Sequence, residues 1–142
     1  MLATIGYERS TLDDVIGRLK AAGVEIVLDV RAVAASRRAG FSKTMLGASL
    51  KAAGIDYLHL RGLGTPKAGR LAARAGRTGE MQRIFQEHLE EPQAQLELTE
   101  AAEIAGRRIA ALLCYEAEAP QCHRAIVAGL IHDRIGCEVV DL

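Results

Sequence analysis

The chain has 142 residues, 49% hydrophobic and 25% charged, with 18 basic and 18 acidic side chains and a formal charge of zero. That length suits one domain, spanning 1–142, with a real core, and the composition excludes a disordered chain. No apolar run nears the roughly 20 residues that cross a bilayer and the N-terminus is no leader, so the expectation is a cytoplasmic protein with no membrane contact, whose three cysteines stay thiols.

Residues 2–7 form a short apolar run ahead of Ser10 and Thr11, which predicts a first strand delivering Tyr7, Glu8 and Arg9 to a strand-to-helix turn. Ser10 or Thr11 caps the helix that follows, Asp13 and Asp14 suit its first turn, and Leu12, Val15, Ile16 and Leu19 recur at helical spacing. Gly23 closes that helix. The same joint returns around Gly54, where Leu19-Lys20-Ala21-Ala22-Gly23-Val24 is echoed by Leu50-Lys51-Ala52-Ala53-Gly54-Ile55, and more loosely around Gly106 and Gly136. Each joint leads into an apolar strand, at 26–30, 57–60, 109–114 and 139–142. The other helices are predicted at 43–53, capped by Ser42, at 79–90, at 93–105 after Pro92, and at 121–135.

Strands alternating with helices predict an α/β domain with right-handed crossovers, three layers deep. The expected sheet is Rossmann-like, with five mostly parallel strands in the order 3-2-1-4-5 and helices on both faces. Two connections, 31–41 and 61–78, are long for such a domain. The second carries four glycines and five basic residues and is expected to be partly flexible.

The densest chemistry lies in the stretch 108–124. Six apolar residues, Ile109 to Cys114, run into Tyr115-Glu116 and then Pro120-Gln121-Cys122-His123-Arg124. Proline favours the first helical position, so Pro120 is expected to start the last long helix, with Cys122, His123 and Arg124 in its first turn. Free N–H groups and the positive end of the helix dipole suit an anion there and lower a thiol's pKa. Cys122 is accordingly expected to be a reactive thiolate, with Cys114 and Cys137 shielded.

In a parallel sheet, ligands bind beyond the carboxyl ends of the strands. Tyr7 and Ser10 follow the first strand, Asp29 and Arg31 the second, His59 the third, and Cys114, Glu116 and the Cys122-His123-Arg124 turn the fourth. Catalytic roles are assigned to Cys122, Glu116 and His123, and ligand binding to Tyr7, Ser10, Asp29, Arg31, His59, Cys114 and Arg124. Asp29 and Arg31 also make a natural ion pair, and His59 a natural structural histidine. A phosphatase or sulfurtransferase loop is rejected, because the residue six after Cys114 is Pro120 and six after Cys122 is Ala128. No metal and no cofactor is expected, since the cysteines lack the paired short spacing of zinc sites and neighbouring Cys122 and His123 would diverge on a helix. There is no phosphate-cradling glycine motif of the P-loop or dinucleotide type.

Taken together, Thr4-Ile5-Gly6-Tyr7, Asp29-Val30-Arg31, Arg37-Arg38-Ala39-Gly40-Phe41-Ser42, Tyr57-Leu58-His59-Leu60 and Leu113-Cys114-Tyr115-Glu116 with Cys122-His123-Arg124 give a chain that resembles the prokaryotic domain of unknown function 488 family almost end to end. The resemblance implies the fold and the place of the site but no reaction. Family members typically carry glycine where this chain has Arg9.

Two readings follow. One is an enzyme acting on an anionic, phosphate-bearing small molecule, such as a nucleotide, held by Arg31, Arg124 and the helix N-terminus. The other is a non-catalytic nucleic-acid module using the segments 31–43 and 61–77, because between positions 30 and 79 ten basic residues face one acid, Asp56. Aromatic residues at 4% offer few stacking platforms for single strands. Oligomeric state is not legible.

Overall fold

A computed structural model describes residues 1–117 and 122–142. The element order is β1 (Leu2–Gly6), α1 (Leu12–Ala21), β2 (Ile26–Asp29), α2 (Lys43–Ala52), β3 (Asp56–His59), α3 (Lys67–Arg74), α4 (Thr78–Leu89), α5 (Pro92–Arg107), β4 (Ala110–Cys114), α6 (His123–Ile135) and β5 (Val139–Asp141). All strand pairs are parallel. β1 and β4 are buried along their whole length, as expected of strands covered by helices on both faces.

The pleat divides the core in two. Ala3, Ile5, Val27, Ala111 and Leu113 pack under α1 and α2, through Val15, Leu19, Leu46 and Leu50. Leu28, Ala110, Leu112 and Cys114 face the other way, toward Phe85 of α4, Leu98 and Ala101 of α5, and Val127 and Ile131 of α6.

The strand order is β3-β2-β4-β1-β5, which corrects the expected 3-2-1-4-5. β1 and β4 are neighbours as anticipated, but β2 pairs with β4, Leu28 opposite Leu112, rather than with β1. Hydrophobic periodicity locates strands without naming their neighbours. Here β4, which like β1 is buried along its whole length, takes the centre, and the end carrying Cys114 is flanked by the ends of both β1 and β2.

Several local expectations are also revised. Residues 61–78, read from the sequence as a long connection, contain a 3₁₀ turn, Arg61–Leu63, and then α3. Leu63 and Ala72 are buried there, and Arg70 Nη1 donates to the Thr65 carbonyl at 3.0 Å. Gly23, Gly54 and Gly136 close their helices with positive φ, whereas α5 runs through Gly106 to Arg107. Of the two caps expected for α1, Thr11 takes the role, as a full capping box with Asp14. Pro120 and Gln121, expected to open the last helix, lie outside the described residues; α6 begins at His123 with Cys122 as its N-cap.

Candidate functional site

Two polar clusters stand at the carboxyl edge of the sheet, one on each face. The first is built on Asp29. It is fully buried under α1 and α2 and accepts from Arg31 Nε at 2.9 Å, Arg31 Nη2 at 2.7 Å and Tyr57 Oη at 2.5 Å. Arg31 Nη1 donates to Tyr7 Oη at 3.1 Å and to the Phe41 carbonyl at 2.7 Å, and the Tyr7 and Phe41 rings stack with centroids 4.3 Å apart. Burial opposes the Arg31 charge, but the hydrogen bonds and charge of Asp29 outweigh it and push the guanidinium pKa above its ordinary value. Burial, followed by the hydrogen bond to Asp29, raises the Tyr57 phenol as well. His59 Nε2 donates to the Arg31 carbonyl at 2.7 Å. Every polar end of Arg31 is thus committed inside the protein, and this cluster fastens the 31–41 segment to the sheet.

The second cluster lies on the α4–α6 face. β4 delivers Cys114, the chain passes through Glu116, and α6 begins with Cys122, His123 and Arg124. Glu116 Oε2 sits 3.4 Å from Cys114 Sγ and 3.3 Å from Cys122 Sγ and accepts from both. Cys122 Sγ is 3.5 Å from His123 Nδ1. His123 Nε2 lies 2.7 Å from the Val30 carbonyl. A carbonyl only accepts, so Nε2 carries the proton. Burial pushes the imidazole below its ordinary pKa, which leaves it neutral with a bare Nδ1 turned to Cys122. Phe85 of α4 meets the His123 ring edge-on, with centroids 5.2 Å apart.

Arg124 is fully buried. Its Nη1 donates to Cys114 Sγ at 2.8 Å and to the Glu116 carbonyl, and its Nη2 donates to the Ala117 carbonyl at 3.2 Å. Nε has no hydrogen-bond partner among the described residues. Nearby, the Ala117 N–H donates to Glu8 Oε1 at 3.2 Å, tying the turn after β1 to the one after β4.

The structure therefore brings Cys114, Glu116, Cys122, His123 and Arg124 together and puts Tyr7, Asp29, Arg31 and His59 into a separate cluster. Ser10 belongs to neither: its Oγ accepts from Arg18 and its carbonyl from Arg38.

Two expectations at Cys122 are corrected. Its sulfur and His123 do not diverge, because Cys122 is the N-cap, with extended φ and ψ, rather than a residue of the helix. Nor is the free thiol acidic. Burial first, then Cys114 and the Glu116 charge, push its pKa well above the ordinary value, and the Arg124 N–H at 3.5 Å only partly offsets this. Cys137, expected to be shielded, is only partly buried.

Tyr57 is the site-edge residue that sequence reasoning passed over. Its signal was position, opposite Val27 two residues before His59, with a phenol beside a buried carboxylate.

A family model described as domain of unknown function DUF488 matches residues 11–131. The chain belongs to that family. The matched span takes in both clusters except Tyr7, and so the family's region contains all of the Cys114–Arg124 site. No curated protein and no solved structure matches the chain significantly. Among the described residues, no helix is long and apolar enough to cross a membrane.

Proposed function

We propose that the protein is an enzyme acting on an anionic small molecule at the carboxyl edge over β1 and β4, with Glu116, Cys122 and His123 as its reacting groups. The observation that carries this reading is that each thiol of a buried pair faces a proton acceptor. Both sulfurs meet Glu116 Oε2, and Cys122 also meets the bare Nδ1 of His123. A packing cysteine needs only apolar neighbours, whereas a nucleophile needs a base within reach. Glu116 is only partly buried, whereas Cys114 and Cys122 are buried.

An anionic ligand is favoured by the positive end of the α6 dipole, by the buried charge of Arg124 and by exposed Arg9 at the end of β1. Arg31 is left out of ligand binding because Asp29, Tyr7 and Phe41 consume its donors. In this reading Cys122 passes its proton to His123 Nδ1 or Glu116, its sulfur bonds to the electrophilic atom of the ligand as the bond to the leaving group breaks, and the same base returns the proton to that group, while Arg124 and Cys114 hold the Glu116 segment in place.

Thermal shift with nucleotides, sugar phosphates and their unphosphorylated counterparts tests the reading. A ligand at 100 times its Kd stabilises the folded state by about 2.7 kcal/mol. Phosphorylated compounds should raise the melting temperature of the wild type, and Glu116→Gln should change that shift. Binding to generic DNA or RNA that falls steeply with salt, with no small-molecule shift, overturns it in favour of the basic segments 31–43 and 61–77, where Arg37, Lys43, Arg61, Lys67 and Arg74 are exposed.

A further inference from the structure

We infer that Cys114, Glu116 and Cys122 form a three-ligand site for a divalent, thiophilic cation of the zinc type, with its fourth position open. This goes beyond the functional reading, because a metal-held Cys122 has already lost its proton and a metal-held Glu116 no longer serves as its base, which leaves His123 as the proton acceptor of the loaded site. It rests on that reading only for the small molecule that would meet the open position.

Geometry is the first support. One ligand atom from each of the three residues lies within 4.8 Å of the other two. A tetrahedral site with Zn–S bonds of about 2.3 Å and a Zn–O bond of about 2.0 Å has S···O edges of about 3.5 Å. The two S···O separations here are 3.4 and 3.3 Å. Two of the three edges of such a face are thus already at their tetrahedral length, and the third, from Cys114 Sγ to Cys122 Sγ, lies within 4.8 Å against about 3.8 Å in that geometry, a gap that a small side-chain rotation closes.

The surroundings give the second support. Sulfurs in metal sites are commonly held by N–H donors from outside the ligand set. Arg124 Nη1 reaches Cys114 Sγ at 2.8 Å, and the Arg124 backbone N–H reaches Cys122 Sγ at 3.5 Å. Charge is the third. Two thiolates and a carboxylate bring three negative charges beside the single positive charge of fully buried Arg124. A divalent cation makes the sum zero, where any smaller charge would leave a buried excess.

Binding is balanced as follows. The cation forms two bonds to sulfur and one to the Glu116 carboxylate, the two thiol protons leave to solvent, and the cation sheds the waters those donors replace. Three protein ligands with an open fourth position is the pattern of catalytic rather than structural zinc. An anionic oxygen could occupy that position, close to the bare Nδ1 of His123.

Cobalt(II) is the probe, added to the reduced full-length protein. One equivalent should produce a thiolate-to-cobalt charge-transfer band in the near ultraviolet and the visible bands of a four-coordinate ion, and zinc should displace it because zinc stands above cobalt in affinity. Cys122→Ser is the informative variant, since a serine oxygen can still cap Arg124 N and keep the fold. It should lose the charge-transfer intensity of one sulfur and bind at least ~100-fold more weakly, by comparison with the 10–100-fold losses from supporting residues. Glu116→Gln should also weaken binding, and Cys137→Ser should leave spectrum and affinity unchanged.

Absence of a band at one equivalent, or a band that survives Cys122→Ser and disappears in Cys137→Ser, overturns the proposal. The two readings fail separately. A cobalt spectrum with no anionic ligand found by thermal shift removes the enzyme reading and keeps the metal site, and a ligand shift with no cobalt spectrum does the reverse.

Discussion

Gly6 sets how closely the turn after β4 can lie over the end of β1. A Cβ there would stand 1.6 Å from the Glu116 carbonyl oxygen and 2.9 Å from Ala117 Cα, and backbone cannot swing aside as a side-chain tip can. Gly6→Ala should therefore displace the Glu116 segment and cost about 1–3 kcal/mol as overpacking does, read as a lower urea midpoint with a weakened cobalt spectrum. If the midpoint falls while the spectrum stays intact, the close approach serves the fold and not the site. Arg31 works differently. Its guanidinium neutralises a fully buried carboxylate, so Arg31→Met should destabilise by about 3–5 kcal/mol, the usual result of stranding one charge of a buried pair. Adding Asp29→Asn to that variant should recover part of the loss, since the stranded charge is then gone. Equilibrium unfolding of the single and double variants checks both statements.

At the scale of elements, the turn from β1 into α1 carries a local cost. Arg9 has φ of 61°, the single positive value on a non-glycine among the described residues, and the capping box on Thr11 follows directly. Left-handed backbone costs a non-glycine residue roughly 1–2 kcal/mol, so Arg9→Gly should raise the free energy of unfolding by about 1 kcal/mol after the entropy cost of glycine, read as a higher urea midpoint. A neutral or lower midpoint would mean that the Arg9 side chain makes a compensating contact. This turn also shows what the sequence makes legible. Capping residues, helix-closing glycines and apolar runs placed every strand and the helices α1, α2, α4 and α5 to within a few residues, because those signals are local. α3 was missed because its apolar stripe is short and lies among basic residues and glycines that read as loop. The capping role of Cys122 was missed because cysteine is not a usual cap, and only the geometry shows its sulfur taking the Arg124 N–H.

At the scale of the whole molecule, the strand ends expected to share one edge of a parallel sheet do lie there, but they divide between its two faces. Tyr7, Asp29, Arg31 and His59 end strands as surely as Cys114 does, but the pleat sends Asp29 to the α1–α2 side and Cys114 to the α4–α6 side. Neighbour order was illegible for a similar reason, since apolar runs do not encode which strand lies beside which. That order also decides the chemistry, because His123 can reach the Val30 carbonyl only when β2 lies directly beside β4. The central place of β4 makes the three cysteines a built-in set of reporters on protein opening. Cys114 ends the innermost strand and is almost fully buried, whereas Cys137 precedes β5 at the sheet margin and is partly open. Thiol labelling of the metal-free protein across a urea series should therefore show Cys137 reacting through local fraying with little urea dependence. Cys114 should react only through openings as large as the global transition, so that its labelling free energy matches that of equilibrium unfolding. A Cys114 rate as insensitive to urea as that of Cys137 would mean the centre of this sheet opens without the rest.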